Sequence, residues 1–443
     1  LIITKYLLGK VQFPLNQYTS NINIKRTYLT VSLIILLFFL FVFKYNEQFY
    51  NFLNIITSSL GVKYNFAFNK YELPIGISYI TFQLISYITD VYYSRIKPEG
   101  NIGIFTTYNL FFSKSTSGPI ERGGDLLPQI KQPKDFYYKD IVDGVKIIIW
   151  GLFKKAVIAE RISSGVTNVF ANPSEYTFYQ LFFTAILLSI QIYCDFSGYT
   201  DIALGSAKML GINLTDNFRF PYFSASISDF WKRWHITLSF WLRDYIFLPI
   251  AYKSTRIIQS FGKTKIKPEN LSYLISILIT MLICGLWHGA KITFILWGIL
   301  HGLYLLISFV LRKQRKIIRA KIKLTEGIKQ SVSILITFIL VTFSWILFFS
   351  DSLDKFLLFV TRIITFADVY NHRNIFVNPN EIYIILGTVI ILFAAERIIN
   401  MNDVKKGKKY IADLLSYPVL IFLILIIFVF GKFEQSDFLY LKF

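Results

Sequence analysis

Two of the four histidines of this chain stand inside apolar sequence, where an ionisable ring is unusual. His288 and His301 both belong to the stretch CGLWHGAKITFILWGILHG, residues 284–302. Imidazole titrates near pH ~6.5, so it can accept a proton as a general base. His288, flanked by Trp287 and Gly289, is therefore a candidate base, the alternative being a core histidine hydrogen-bonded to a carbonyl group.

A third histidine, His235, stands in the charged and aromatic segment DFWKRWHITLSFWLRDY, residues 229–245. Tryptophans at this density are typical of an amphipathic helix at the membrane interface. That interpretation explains Trp231, Trp234 and Trp241, but it explains a histidine beside Arg233 less well. A catalytic role and an interfacial role both remain open for this segment.

The remaining histidines and the two cysteines do not indicate a metal site. His301 would lie about 20 Å from His288 along a continuous helix, so the two could share a metal only if the helix breaks. We expect His301 to pack in the interior with a hydrogen bond, and we expect no function for His372, which lies in a loop sequence. Cys194 and Cys284 are predicted to be inert packing residues.

The amino-acid composition indicates that these residues lie in a membrane protein rather than in a soluble one. Hydrophobic residues make up 54% of the 443 residues and charged residues 17%, against about 25% charged residues in soluble domains. Runs such as 28–43, 331–349 and 417–431 approach the ~20 apolar residues that cross a bilayer. We therefore predict an all-α polytopic membrane protein with about eleven transmembrane helices, plus re-entrant or interfacial helices, around a central tunnel.

The chain is expected to form a single integral membrane domain over residues 1–443, with an incomplete N-terminal helix. Residues 113–135 and 191–250 mix Gly, Pro and charged residues with apolar ones, so they are expected to line a protein-walled cavity or the interface rather than to face lipid. Separate helices are predicted at 176–194 and 198–211, and one helix at 227–251.

Much of the net charge of +20 falls in short segments that are predicted to be loops on the cytoplasmic side, at 253–267, 312–323 and 405–409. We expect them to contact anionic membrane lipid. Nucleic acid is not expected as a partner, because no soluble domain is visible to present the charge.

Four motifs resemble the membrane-bound O-acyltransferase family, most closely its alginate- and peptidoglycan-acetylating branch. They are SGPIERGGDLLPQ (117–129), CDFSGYTDIALGSAKMLGINL (194–214), NFRFPYFSASISDFWKRWHITLSFWLRDYIFLPI (217–250) and LICGLWHGAKITFILWGILHGLYL (282–305). The resemblance extends from about Leu73 to the C-terminus. The order of RWHITLS and GLWHG is its most specific feature.

The resemblance implies that His288 is the catalytic base and that His235 is a second essential histidine, the two meeting near the bilayer midplane. The C-terminal FLYLKF resembles an ending seen in this branch, so Tyr440 is a possible acyl relay. Its alternative is an aromatic interface anchor. Basic residues near the pocket, Lys291 among them, would suit the phosphates of a donor. The residues expected to bind substrate are Trp234, Arg233, Lys232, Trp287, Asp195, Ser197 and Tyr199, and no metal is expected.

The family also implies a reaction and its participants. The expected enzyme is an O-acetyltransferase of the bacterial inner (cytoplasmic) membrane that takes an acetyl group from acetyl-CoA in the cytoplasm. It would pass the group outward for O-acetylation of a cell-envelope polysaccharide, with peptidoglycan favoured. The expected partner is an extracytoplasmic serine-hydrolase-like O-acetyltransferase, and no bound cofactor is expected.

Two other interpretations stay open from the sequence. One is transfer of D-alanyl or another acyl group from a carrier-protein thioester to a cell-wall polymer. The other is a non-catalytic protein, either a transporter of envelope precursors or a scaffold that recruits a transferase. The oxyanion stabiliser is also open: a backbone amide near Gly285 or Gly289, or His235 acting as a donor.

Overall fold

The computed structural model describes residues 22–61, 74, 76–262, 266–369, 373–406 and 415–433. Within these ranges the regular structure is helical, as predicted, and contains no strand. Backbone contacts group the chain into two compact units, Leu1–Phe136 and Tyr137–Phe443. The prediction of one domain over the whole chain stays a prediction.

The first unit holds five of the described helices. They are α1 Ile22–Lys44, α2 Asn46–Ser59, α3 Ile77–Tyr92, α4 Ile102–Leu110 and α5 Gly123–Lys131. Helix α4 begins where the Asn101 side chain accepts hydrogen bonds from the backbone amides of Gly103 and Ile104. Lys114 is buried between these helices and donates to Gln83 over 2.5 Å; burial lowers the pKa of Lys114 to about 7.

The second unit holds the motifs. Its helices are α6 Tyr138–Leu152, a π-helical segment Phe153–Ala159, α7 Glu160–Ala171, α8 Phe178–Met209, α9 Ile227–Trp231, α10 Ile236–Leu242, a second π-helical segment Arg243–Phe247, α11 Leu248–Ser260, α12 Pro268–His288, α13 Ile292–Val310, α14 Arg312–Lys321, α15 Glu326–Phe349, α16 Leu353–Ile364, α17 Glu381–Lys406 and α18 Tyr417–Phe430.

Six helices in the described part of the chain are long and apolar enough to cross a membrane. They are most of α1, then α8, α12, α13, α15 and the Glu381–Asn400 portion of α17. This confirms a multi-pass membrane protein. The predicted number of about eleven spans and the central tunnel stay predictions.

Helix α8 forms the core of the second unit, and the predicted break near residue 195 is wrong. A capping box between Thr177 and Gln180 starts one helix that runs without interruption to Met209. Gly198 lies in this helix because α6 approaches it closely: a Cβ at Gly198 would lie 2.8 Å from the carbonyl oxygen of Gly151. Glycine here permits close packing rather than a turn.

Two other predicted elements differ from the structure. The single helix predicted at 227–251 is interrupted at His235, whose φ of 41° is left-handed, so that α9 and α10 are separate short helices. The basic segment 312–323, predicted to be a loop, contains the helix α14, because none of the residues in RKQRKIIRAK breaks a helix.

Candidate active site

His288 ends α12 and is buried among aromatic rings. The centroid of its imidazole lies 4.8 Å from the ring of Trp287, 5.1 Å from that of Trp297 and 5.0 Å from that of Phe348. Helices α13 and α15 supply the last two rings. Helix α13 comes this close because Gly285 has no side chain: a Cβ there would lie 2.4 Å from the carbonyl oxygen of Phe294. The aromatic wall excludes water from the imidazole, which strengthens any electrostatic contact made there.

His235 lies at the turn between α9 and α10 and is completely buried. Its ring meets that of Phe196 on α8 edge to face, with centroids 4.8 Å apart. A left-handed backbone is uncommon for a residue with a side chain and costs on the order of 1 kcal/mol. The surrounding contacts must therefore compensate for a conformation that directs this histidine into the core.

Trp287 brings the two histidines together. Its ring centroid lies 6.2 Å from that of His235 and 4.8 Å from that of His288. The separation of the two imidazole centroids cannot exceed the sum of these distances. The two predicted catalytic histidines, which are far apart in the chain, thus border the same indole ring.

Asn217 holds the turn that carries His235, and sequence reasoning missed it. Its side-chain oxygen lies 3.0 Å from His235 Nδ1 and accepts hydrogen bonds from the backbone amide (3.2 Å) and hydroxyl (2.8 Å) of Thr237. Its backbone oxygen accepts from Ile236 N over 2.9 Å. Asn217 opens the third quoted motif, but a lone asparagine at that separation from a histidine has no recognisable spacing.

His301 packs in the interior with hydrogen bonds, which confirms the prediction for it. Trp231 Nε1 donates to His301 Nδ1 over 3.3 Å, and His301 Nε2 lies 2.9 Å from the hydroxyl of Ser344. These bonds join α9, α13 and α15. A metal shared by His288 and His301 would require a break in the helix, and the helix does end at His288. Both ring nitrogens of His301, however, are already hydrogen-bonded to protein groups.

The residues around His235 have different environments. Trp234 is buried, with its ring stacked on Phe230 at 5.6 Å, so it supports the core of the motif. Arg233 pairs with Asp229 over 3.0 Å, and Lys232 is exposed. Three residues of this motif were predicted to bind substrate. Lys232 and Arg233 carry charge at the surface, whereas the Trp234 side chain lies in the interior.

Asp195 and Ser197 face lysines of the π-helical segment. Lys155 pairs with Asp195 over 2.5 Å and Lys154 donates to Ser197 over 2.9 Å. Phe196, between them, points instead to His235. Since both polar side chains already have protein partners, their contacts favour a role in packing α8 rather than in substrate binding. Tyr199 is half-buried on the same helix.

The role of Lys291 in phosphate binding stays a prediction. Lys291 stands at the start of α13, near Asp351 (3.4 Å), whereas the basic helix α14 follows the other end of α13.

Tyr440 and His372 lie outside the described residues. Both cysteines are buried and free. Among the residues that the structure describes, no three His, Cys, Asp or Glu side chains form a group that could hold a metal ion.

Sequence comparisons agree with this geometry. The model of the membrane-bound O-acyltransferase family matches residues 101–321, which include both histidine motifs. The chain is 34% identical over 327 residues to the probable alginate O-acetylase AlgI of Azotobacter vinelandii, covering 74% of this chain and 60% of that protein. It is 32% identical over 357 residues to the peptidoglycan O-acetyltransferase of Helicobacter pylori, covering 75% and 63%.

A third relative carries a different acyl group in its name. The teichoic acid D-alanyltransferase of Streptococcus thermophilus is 29% identical over 295 residues, covering 62% of this chain and 68% of that protein. The chain thus spans a little under two thirds of the length of the two acetylating relatives. The buried histidine pair, the membrane-spanning helices and these matches agree: the chain belongs to the membrane-bound O-acyltransferase family.

Proposed function

We propose that the protein is an O-acetyltransferase of the bacterial cytoplasmic membrane that passes acetyl groups outward to a cell-envelope polysaccharide. The observation that carries the proposal is the placement of His235 and His288 against one buried indole ring. Two buried imidazoles that border one indole ring are suited to acid–base chemistry in a site without water. The matched relatives, two of which are named as acetylating enzymes, support the same reaction class.

The proposed step is attack of a hydroxyl group on a thioester. His288 accepts the hydroxyl proton as the oxygen bonds to the acyl carbon, and the carbon–sulfur bond then breaks. The proton returns to the departing thiolate, so the products are an ester and a free thiol. General-base assistance supplies about 10²–10⁴-fold in rate, and the aromatic wall around His288 fixes its orientation.

We propose acetyl-CoA as the donor, approaching from the cytoplasm. The surface charges of Lys232 and Arg233, beside the histidine motif, would suit its phosphates. A carrier-protein thioester is the second candidate donor, favoured by the likeness to a D-alanyltransferase. Purified protein offered both donors separately distinguishes the two.

We further propose that the acyl group leaves the chain through a partner. A separate extracytoplasmic serine-hydrolase-like O-acetyltransferase would complete the transfer to the polymer. Tyr440 is the proposed relay, forming a phenolic ester after a base removes its proton. Mass spectrometry of tryptic peptides would detect that ester, and full cellular activity of Tyr440→Phe would exclude it. Peptidoglycan remains the favoured polymer.

The test of catalysis is release of free thiol from acetyl-CoA by detergent-purified protein. We expect slow turnover to water by the wild type and a loss of about 10²–10⁴-fold in His288→Ala. His372→Ala is the matched control and should match the wild type. Equal turnover in His288→Ala would move the base to another residue. A folded wild type without turnover would exclude acetyl-CoA as the donor.

A further inference from the structure

The hydrogen bonds of Asn217 bear on which ring nitrogen of His235 carries the proton. Thr237 determines which way the Asn217 amide points. Its backbone N–H can only donate a hydrogen bond, and its nitrogen lies 3.2 Å from one side-chain atom of Asn217. That atom must be the carboxamide oxygen, since a flipped amide would set two donors against each other.

His235 Nδ1 lies 3.0 Å from the same oxygen. A carboxamide oxygen has no proton to give, so the hydrogen of this contact must belong to His235 Nδ1. A neutral imidazole carries one ring proton. The lone pair of His235 is therefore on Nε2, the nitrogen on the far side of the ring from Asn217.

His301 provides a contrast inside the same core. The Ser344 hydroxyl donates to the carbonyl oxygen of Val341 over 2.7 Å, so its lone pair accepts from His301 Nε2–H. Trp231 donates to His301 Nδ1. The two histidines thus hold opposite tautomers. Asn217, outside the helices, sets that of His235, and residues of α9 and α15 set that of His301.

We propose that Asn217 is a positioning residue that fixes His235 as the Nδ1–H tautomer and presents its Nε2 as a proton acceptor. This deepens the proposed function and rests on it for its meaning: neutral His235 accepts a hydrogen bond from the acceptor hydroxyl instead of donating one to the oxyanion. The sequence left the donor role open for His235. The Asn217 contact argues against that role, because donation from Nε2 would require a second proton on the ring.

The test is the ¹⁵N spectrum of histidine side chains, recorded on the full chain in nanodiscs at mildly alkaline pH. Protonated and bare ring nitrogens have well-separated shifts, and four histidines allow assignment by single substitutions. We expect His235 to show protonated Nδ1 and bare Nε2, with His301 showing the reverse. A protonated Nε2 on His235 in the wild type overturns the proposal.

Three variants extend the test. Asn217→Ala should release the tautomer preference of His235 and lower acetyl-CoA turnover by on the order of 10²-fold, since misplaced catalytic groups lose about that much. An unchanged tautomer in Asn217→Ala contradicts the proposal. Asn213→Ala, an exposed asparagine whose side chain accepts from Lys208, is the control and should change neither readout.

Asn217→Asp keeps the oxygen that accepts from Nδ1 but adds a negative charge. It should retain the Nδ1–H tautomer and stabilise the imidazolium, which moves the acidic limb of the pH–rate profile to higher pH. Should Asn217→Ala fail to fold, the wild-type and Asn217→Asp spectra decide. Should the folded wild type show no turnover, the proposed function fails, and the spectra alone decide the assignment of Asn217.

Discussion

At the scale of single residues, the hydrogen bonds around each histidine separate structural from chemical roles. His301 uses both ring nitrogens on protein partners, Trp231 and Ser344. His235 uses Nδ1 on Asn217. His288 is enclosed by aromatic rings at the end of a helix. His301 therefore connects helices through hydrogen bonds, whereas His235 and His288 are candidate reacting groups.

The hydrogen bond between His301 and Ser344 predicts that Ser344→Ala is less stable than the wild type. Removing the hydroxyl leaves His301 Nε2–H without its acceptor, and an unsatisfied buried donor costs about 1–3 kcal/mol. We expect a lower thermal midpoint in detergent, with turnover per folded molecule close to that of the wild type. Ser333→Ala on the same helix, whose hydroxyl bonds to the Lys329 carbonyl, should leave the midpoint unchanged. Equal thermal midpoints for Ser344→Ala and the wild type would show that this hydrogen bond of His301 does not stabilise the fold.

At the scale of helices, the site depends on how closely α12 and α13 pack. Gly285 and Gly298 face each other across this pair: a Cβ at Gly298 would lie 2.3 Å from the carbonyl oxygen of Met281. These helices carry His288 and Trp297. Without the two glycines, side chains would separate the helices and displace the ring that walls the imidazole.

Gly298→Ala should therefore lower both stability and turnover. A methyl group against a rigid backbone carbonyl costs about 1–3 kcal/mol through overpacking, and the shift moves Trp297 relative to His288. Thermal midpoint and thiol release measure the two effects. Gly387→Ala in α17 is the matched control, because a Cβ there meets no atom within 4 Å. Wild-type behaviour of Gly298→Ala would show that the contact is not needed.

At the scale of the whole molecule, the predicted orientation follows from charge. Helix α14 carries basic residues on a short connection between the spans α13 and α15, so it should face the cytoplasm. Because α15 is long and apolar enough to cross the membrane, Asp351 just beyond it should then face outward.

Cysteine labelling tests this orientation in intact cells. Cys194 and Cys284 are first replaced, and single cysteines are then introduced as Lys316→Cys or Asp351→Cys, both at exposed positions. An impermeant maleimide should label Asp351→Cys at once, and Lys316→Cys after the membrane is disrupted. The reverse pattern would invert the predicted topology.

The sequence by itself determined the solvent, the helical class and the two histidine motifs. Runs of apolar residues and ionisable side chains within them are local properties, and family motifs are contiguous in the chain. It could not determine that α8 passes unbroken through Gly198, because glycine breaks a helix or permits close packing according to what lies opposite.

Only the tertiary structure decided which side chains surround each histidine. It joined His235 and His288 through Trp287, bound Asp195 and Ser197 to lysines of the π-helical segment, and set Asn217 against His235 Nδ1. A hydrogen bond acts over about 3 Å, and the atoms that it joins here belong to segments that are separate in the sequence. The hydrogen-bond partners of a buried histidine are therefore a property of the packed core and not of the motif that contains it.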